Sequence, residues 1–162
     1  MKPRIAGVLA LGALAAVACK TGYNNAYDAE LKKLEQQRQA EQQQQSAEHA
    51  EAARFVAVVY FQTGSAVLDE NATRQLAWFV DKMSPYPQST FDVQGFADAT
   101  GSEATNSLLS NQRAQAVSAY LQSQGIQATR IYAAAFSTSS PAASNTTAQG
   151  RRDNRRVEIT VR

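Results

Sequence analysis

Asn106, Ser110 and Arg113 are spaced to share one face of a helix with Leu109, Ala114, Val117, Tyr120 and Leu121. The apolar members of that stripe belong against a core. An arginine on the same stripe is out of place, because removing its charge from water costs several kcal/mol unless something pairs with it. The N-terminal half of this face must therefore meet a carboxylate or open into a polar pocket. Arg113 presents a planar fork that can hold a carboxylate through two parallel hydrogen bonds. The nearest candidate partner is Asp98, in Phe96-Ala97-Asp98-Ala99-Thr100-Gly101, just ahead of the helix. Two readings follow from local chemistry. Asp98 is either an internal partner of Arg113 or a turn residue, or the two are the anionic and cationic arms of a pocket. Such a pocket suits a zwitterion that carries an ammonium and a carboxylate together.

Catalysis has little to work with. From Phe55 onward there is no histidine and no cysteine, which excludes Ser-His and Cys-His nucleophiles and a Cys/His zinc site in that region. His49, the only histidine, lies in a polar stretch. Asp69, Asp92, Asp98 and Glu103 could in principle supply a carboxylate pair for glycoside hydrolysis, but no spacing singles out two of them. No enzyme activity, cofactor or metal is expected.

The elements that must position these residues are readable. Phe55 to Phe61 is a β-branched and aromatic run, expected as a buried strand. A turn at Thr63-Gly64-Ser65 leads to a helix from Asp69 to Met83, with Leu76, Phe79, Val80 and Met83 on one face. Ser84-Pro85-Tyr86-Pro87 stops it. Thr90 to Phe96 alternates as a second strand. Glu103 to Gln124 is the second helix, ended by Gly125. Arg130 to Phe136 is a third strand, Ser137 to Gln149 a loop, and Arg156 to Val161 a fourth strand. The order β-α-β-α-β-β predicts an α+β two-layer sandwich, one four-stranded mixed sheet covered by two helices over residues 55–162.

Two segments precede it. Lys2 and Arg4 followed by the apolar run Ile5 to Ala18 fit a signal peptide (1–18) and fall short of the roughly 20 apolar residues that span a bilayer. Ala16-Val17-Ala18-Cys19 resembles a bacterial lipobox, which implies acylation of Cys19, for example with palmitate. Cys19 is the only cysteine, so no intrachain disulfide can form. Lys20, rather than Asp, follows it, a pattern that implies sorting to the outer membrane. Residues 19–54 then form a polar spacer, in which Asp28 to Arg54 is rich in Glu, Gln, Lys and Ala, partly helical, and up to about 40 Å long at 1.5 Å per residue. Its Leu31 and Leu34 begin an apolar stripe that is not sustained as heptads.

Charge excludes one partner class. The precursor carries 16 basic and 14 acidic residues, and loss of Lys2 and Arg4 leaves 14 of each. A near-neutral exported chain gives no reason to expect nucleic acid, even with Arg151, Arg152, Arg155 and Arg156 clustered near the end.

Four segments together resemble the OmpA-like peptidoglycan-binding domain over Val59 to Val161, in lipoproteins of the peptidoglycan-associated type. Tyr60 to Leu68 is similar to the opening strand and turn. Val93 to Ser102 resembles the Gly-His-Thr-Asp segment. Asn106 to Ala114 matches Asn-x-x-Leu-Ser-x-x-Arg-Ala, and Gly150 to Glu158 matches Gly-Arg-x-x-Asn-Arg-Arg-Val-Glu. The resemblance implies that Asp98 pairs with the free ammonium of diaminopimelate in a stem peptide, Arg113 with its carboxylate, and that Asn106 bonds the peptide. Thr100, Gly101, Ser110, Asn154 and Arg155 are implied as supporting residues, Asn154 and Arg155 by bracing the pocket loop. Phe96 and Ala97 stand where the family has His and Thr, Gln62 where Asp is common, and Gly64 where Asn is frequent. These departures are expected to alter the pocket rim. The implied role is anchoring of the outer membrane to the cell wall, with envelope proteins as further partners. The alternatives are an accessory or assembly lipoprotein of a larger envelope complex and a wall hydrolase.

Overall fold

Period-two alternation along the strands decides which side of the sheet the helices cover. In the computed structural model, which describes residues 24–162, Ala57, Val59 and Phe61 point one way from strand β1 (Ala57–Tyr60) and its exit. Phe91 and Val93 do the same from β2 (Phe91–Phe96), as do Val157 and Ile159 from β4 (Arg156–Val161). All are buried in one core with Leu76, Phe79 and Met83 of α2 (Glu70–Met83) and Ala114, Val117 and Leu121 of α3 (Glu103–Ser123). The fourth strand, β3 (Ile131–Ser137), forms the other edge. The sheet order is β1-β4-β2-β3, with β2 and β3 parallel and the remaining pairs antiparallel. This is the expected α+β sandwich, with α2 over β1 and α3 over β2 and β3.

One glycine sets the depth at which α3 lies on the sheet. A Cβ on Gly95 would stand 2.1 Å from the Ser110 carbonyl oxygen, so any side chain there would push the helix off β2. Both helices start as their sequences direct. Asp69 caps α2 by accepting from the Ala72 N–H at 2.8 Å, and Ser102 caps α3 by accepting from the Thr105 N–H at 3.1 Å. Gly125, at φ +91°, ends α3 in the left-handed conformation that its position demands.

The chain divides into two units, residues 1–44 and 45–162. Helix α1 (Asn24–Ala52) runs across the division as one unbroken element, where only partial helicity was expected. The stretch contains no glycine or proline, so propensity suffices where an apolar face is missing. Tyr27 to Gln44 is exposed throughout, Leu31 and Leu34 included. No helix among the described residues is long and apolar enough to cross a membrane. The expected signal peptide and Cys19 lie outside the described residues.

One element was not anticipated. The loop expected from Ser137 to Gln149 ends two residues early in a seven-residue helix, α4 (Ala148–Asn154), capped by Thr147 Oγ1 accepting from the Gly150 N–H at 2.9 Å. It delivers the arginine cluster to β4.

Candidate functional site

Asp98 lies in the loop between β2 and α3 and is 5% exposed. Its Oδ1 accepts from the Thr100 N–H at 2.8 Å, closing an Asx-type turn that ends at Gly101, φ +93°. Its Oδ2 accepts from Arg155 Nη1, also at 2.8 Å. Arg155, not Arg113, is therefore the internal partner of Asp98, which corrects the pairing suggested by their closeness in sequence. The reason is topological. Antiparallel pairing aligns Gly95 with Val157, so the start of β4 lies beside the end of β2. Arg155 also donates from Nε to the Phe61 carbonyl at 3.1 Å, and so ties β1, β2 and β4 together at one end of the sheet.

Burial pushes the Asp98 carboxyl up, but hydrogen bonds from Arg155 and Thr100 outweigh it and hold it below the ordinary carboxylate value. A carboxylate held low in the folded state contributes stability above the ordinary carboxylate range and loses it as pH falls through its own, lower pKa. Thermal unfolding should thus show a flat contribution from Asp98 down to about pH 4 and a loss below it. If Asp98→Asn followed the wild-type profile between pH 5 and pH 2.5, the pair would contribute nothing to acid stability.

Arg113 is fully buried on α3. It donates from Nε to the Ser65 carbonyl at 2.9 Å, from Nη1 to the Phe96 carbonyl at 3.0 Å, and from Nη2 to the Gln62 carbonyl at 3.2 Å. Its guanidinium lies 5.3 Å from the Phe61 ring centroid. Burial, and then the nearby Arg155 charge, push it down to about 10, with Asp98 opposing. At neutral pH it remains a cation. The face of α3 that raised the question of a partner thus finds backbone carbonyls, three of them, from the β1–α2 loop and the end of β2.

The remaining expected residues fall around these two. Asn106, 4% exposed, stands at the N-terminal end of the same face, and among the described residues nothing hydrogen-bonds its side-chain amide. Ser110 donates to the Ser107 carbonyl at 2.9 Å and accepts from the Ser137 N–H at 3.3 Å, fastening α3 to the end of β3. Asn154 braces the loop before α4. Its Oδ1 accepts from the Ala143 N–H at 3.0 Å, while Nδ2 donates to the Ala143 carbonyl and to Asn145 Oδ1, both at 2.8 Å. Asn145 Oδ1 in turn accepts from the Ala99 N–H at 3.1 Å, next to Asp98.

Phe96 and Ala97 do not form a rim, contrary to expectation. Both are buried. Phe96 is stacked on Phe136, with centroids 5.4 Å apart, and Arg156 covers it at 3.9 Å. The apolar residue at 96 is therefore absorbed into packing behind the site. Each of the four carboxylates that composition left open has a partner of its own, Asp98 in Arg155. Asp69 caps α2, Asp92 is 3.8 Å from Arg162 near the far end of β2, and Glu103 accepts from Thr138 Oγ1 at 3.2 Å.

The geometry is thus one carboxylate and two guanidiniums at the end of the sheet, enclosed by three loops, with the Asn106 side chain beside them. Residues 60–155 match the OmpA family. The chain is 39% identical over 103 residues to the "Probable lipoprotein YiaD" of Escherichia coli K12, a match covering 64% of this chain and 47% of that one. It is 42% identical over 81 residues to the "Peptidoglycan-binding protein ArfA" of Mycobacterium tuberculosis H37Rv, covering 50% of this chain and 25% of the relative. Among solved structures, the cell wall anchor of the T6SS from Pseudomonas aeruginosa superposes with a TM-score of 0.58 at 31% identity, covering 65% of this chain and 79% of that one. The chain spans about half the length, or less, of these two curated relatives.

Proposed function

The chain belongs to the OmpA family, and on that premise we propose that its globular unit binds peptidoglycan non-covalently, holding the diaminopimelate of a stem peptide around Asp98. It is a binding domain, not an enzyme. The observation that carries the reading is Asn106, 4% exposed, whose side-chain amide makes no hydrogen bond among the described residues, at the head of the helix that also bears Arg113. Its amide donors and its carbonyl oxygen are therefore available to a bound peptide. Asp98 shares its charge with the ligand ammonium. Arg155, already on Asp98, and the two N–H groups that Arg113 does not spend on carbonyls are the donors for the ligand carboxylate. Thr100 and Gly101 hold the carboxylate loop, Ser110 fastens the helix, and Asn154 braces the facing loop. Relatives bearing the names peptidoglycan-binding protein and cell wall anchor support this reading.

In the same proposal acyl groups on Cys19 hold the chain in the outer membrane, residues 19–54 cross part of the periplasm, and residues 55–162 engage the wall. Each charge-assisted contact contributes roughly 1.5–3 kcal/mol before binding costs. Single-site affinity is then modest, and many copies on one polymer supply the strength. A second reading, an accessory lipoprotein that localises a larger envelope complex, is favoured by the similarity to a secretion-system anchor. It requires the same wall contact.

Sedimentation with purified sacculi tests the proposal, using the full chain in detergent and two soluble competitors. A tripeptide ending in meso-diaminopimelate should release the protein. The same tripeptide ending in lysine, which lacks the second carboxylate, should not. Equal competition by both, or by neither, would reject the zwitterion clamp.

A further inference from the structure

A second concavity adjoins this site and is lined differently. Helix α2 turns Ala72, Leu76, Phe79 and Met83 into the core, while Asn71, Arg74, Gln75 and Trp78, at helical spacing, form another stripe. That stripe, the exit of β1 at Tyr60 and Gln62, and Arg152 and Arg155 of the α4 segment enclose a groove of about 650 Å³. This is within the range of small-ligand sites. Trp78 and Tyr60 are close to half exposed. Trp78 packs edge-to-face with Phe55, ring centroids 6.3 Å apart. The side chains of Gln62, Gln75 and Arg152 are exposed and make no hydrogen bond among the described residues. Exposed indole and phenol rings with free amide and guanidinium donors around them suit a ligand with apolar C–H faces and polar edges, as pyranose rings have.

We infer that this groove is a second binding site, for the N-acetylated glycan strand from which the stem peptides hang. The inference rests on the stem-peptide reading, and Arg155 is the link. It lines the groove and also donates to Asp98, so a glycan in the groove and a stem peptide at Asp98 would be neighbours, as their covalent connection requires. Sugar rings lie against Trp78 and Tyr60, acetamido groups meet Gln75 and Gln62, and Arg152 meets ring oxygens and hydroxyls. Arg74 is held by Glu70 and Asn71 and serves as a wall.

Trp78 is the only tryptophan, so its emission reports on the groove directly. The full chain in detergent is titrated with chitotetraose, with cellotetraose, which lacks acetamido groups, and with the diaminopimelate tripeptide. A saturable change with chitotetraose is expected, and Gln75→Ala and Arg152→Ala should weaken it roughly tenfold in the pair. By calorimetry, Trp78→Ala should lose chitotetraose binding yet keep that of the tripeptide. No saturable response at millimolar chitotetraose, or an equal one to cellotetraose, overturns the glycan site. If the tripeptide still binds, the stem-peptide reading survives that failure. If the tripeptide does not bind while chitotetraose does, the groove stands and the clamp at Asp98 falls.

Discussion

Asp98→Ala is expected to abolish sedimentation with sacculi and to lower stability by about 3–5 kcal/mol, because it leaves a buried cation without its counter-charge. Arg155 and Asp98 have side chains 11% and 7% exposed, so water cannot replace the lost carboxylate easily. Arg113 nearby is already destabilised by burial and by the Arg155 charge, and loses the one anion that opposes them. The structural and binding roles are separable. Asp98→Asn retains an acceptor for the Thr100 N–H and its turn, so it should cost less in stability while still failing to hold an ammonium. Urea unfolding beside sacculus sedimentation measures both. If Asp98→Asn folds and still sediments like the wild type, Asp98 is only a partner for Arg155, and the ligand ammonium must be bound elsewhere.

Arg113→Lys should be nearly as damaging as Arg113→Ala, although it keeps the charge. Three carbonyls, of Gln62, Ser65 and Phe96, receive hydrogen bonds from three different nitrogens of one planar group. A lysine carries its donors on a single atom and cannot span three acceptors from two segments of chain. The Phe96 carbonyl, in a buried bond, costs about 1–3 kcal/mol without its donor, and the part-buried Ser65 and Gln62 carbonyls less, with neighbouring losses falling short of additive. A total of about 3–5 kcal/mol is expected for either variant, seen as a lower urea midpoint. Because Arg113 stands beside Arg155 and Asp98, binding should fall with stability. An Arg113→Lys variant that matched wild type in both urea midpoint and sedimentation would show that the carbonyl contacts are not needed.

The same guanidinium shows where sequence reasoning stops. That Arg113 shares a face with Val117 and Leu121 follows from helical periodicity, and so does the conclusion that a buried cation must find partners. That the partners are carbonyls does not follow, since every residue carries one and only the path of the chain decides which converge. Asp98 and Arg155 make the same point with charges. They are separated by 57 positions and meet because β4 inserts between β1 and β2 and runs antiparallel to both. Strand order is a long-range property, and no local pattern in Gly150 to Glu158 states it.

The strands, helices α2 and α3, the core face of each, and the lack of histidine and cysteine from Phe55 onward were legible in the sequence. These depend on side-chain periodicity, capping and composition, all local. Helix α4 escaped because its seven residues, Ala148 to Asn154, carry no apolar stripe. It exists through the Thr147 cap and the packing of Gly150, where a Cβ would meet the Ser144 carbonyl oxygen at 1.9 Å. Phe96, expected at the rim, was placed in the interior by Phe136 and Arg156. Which charges pair and which aromatic rings border an open groove came only with the tertiary structure, because both are settled by segments distant in sequence competing for the same space.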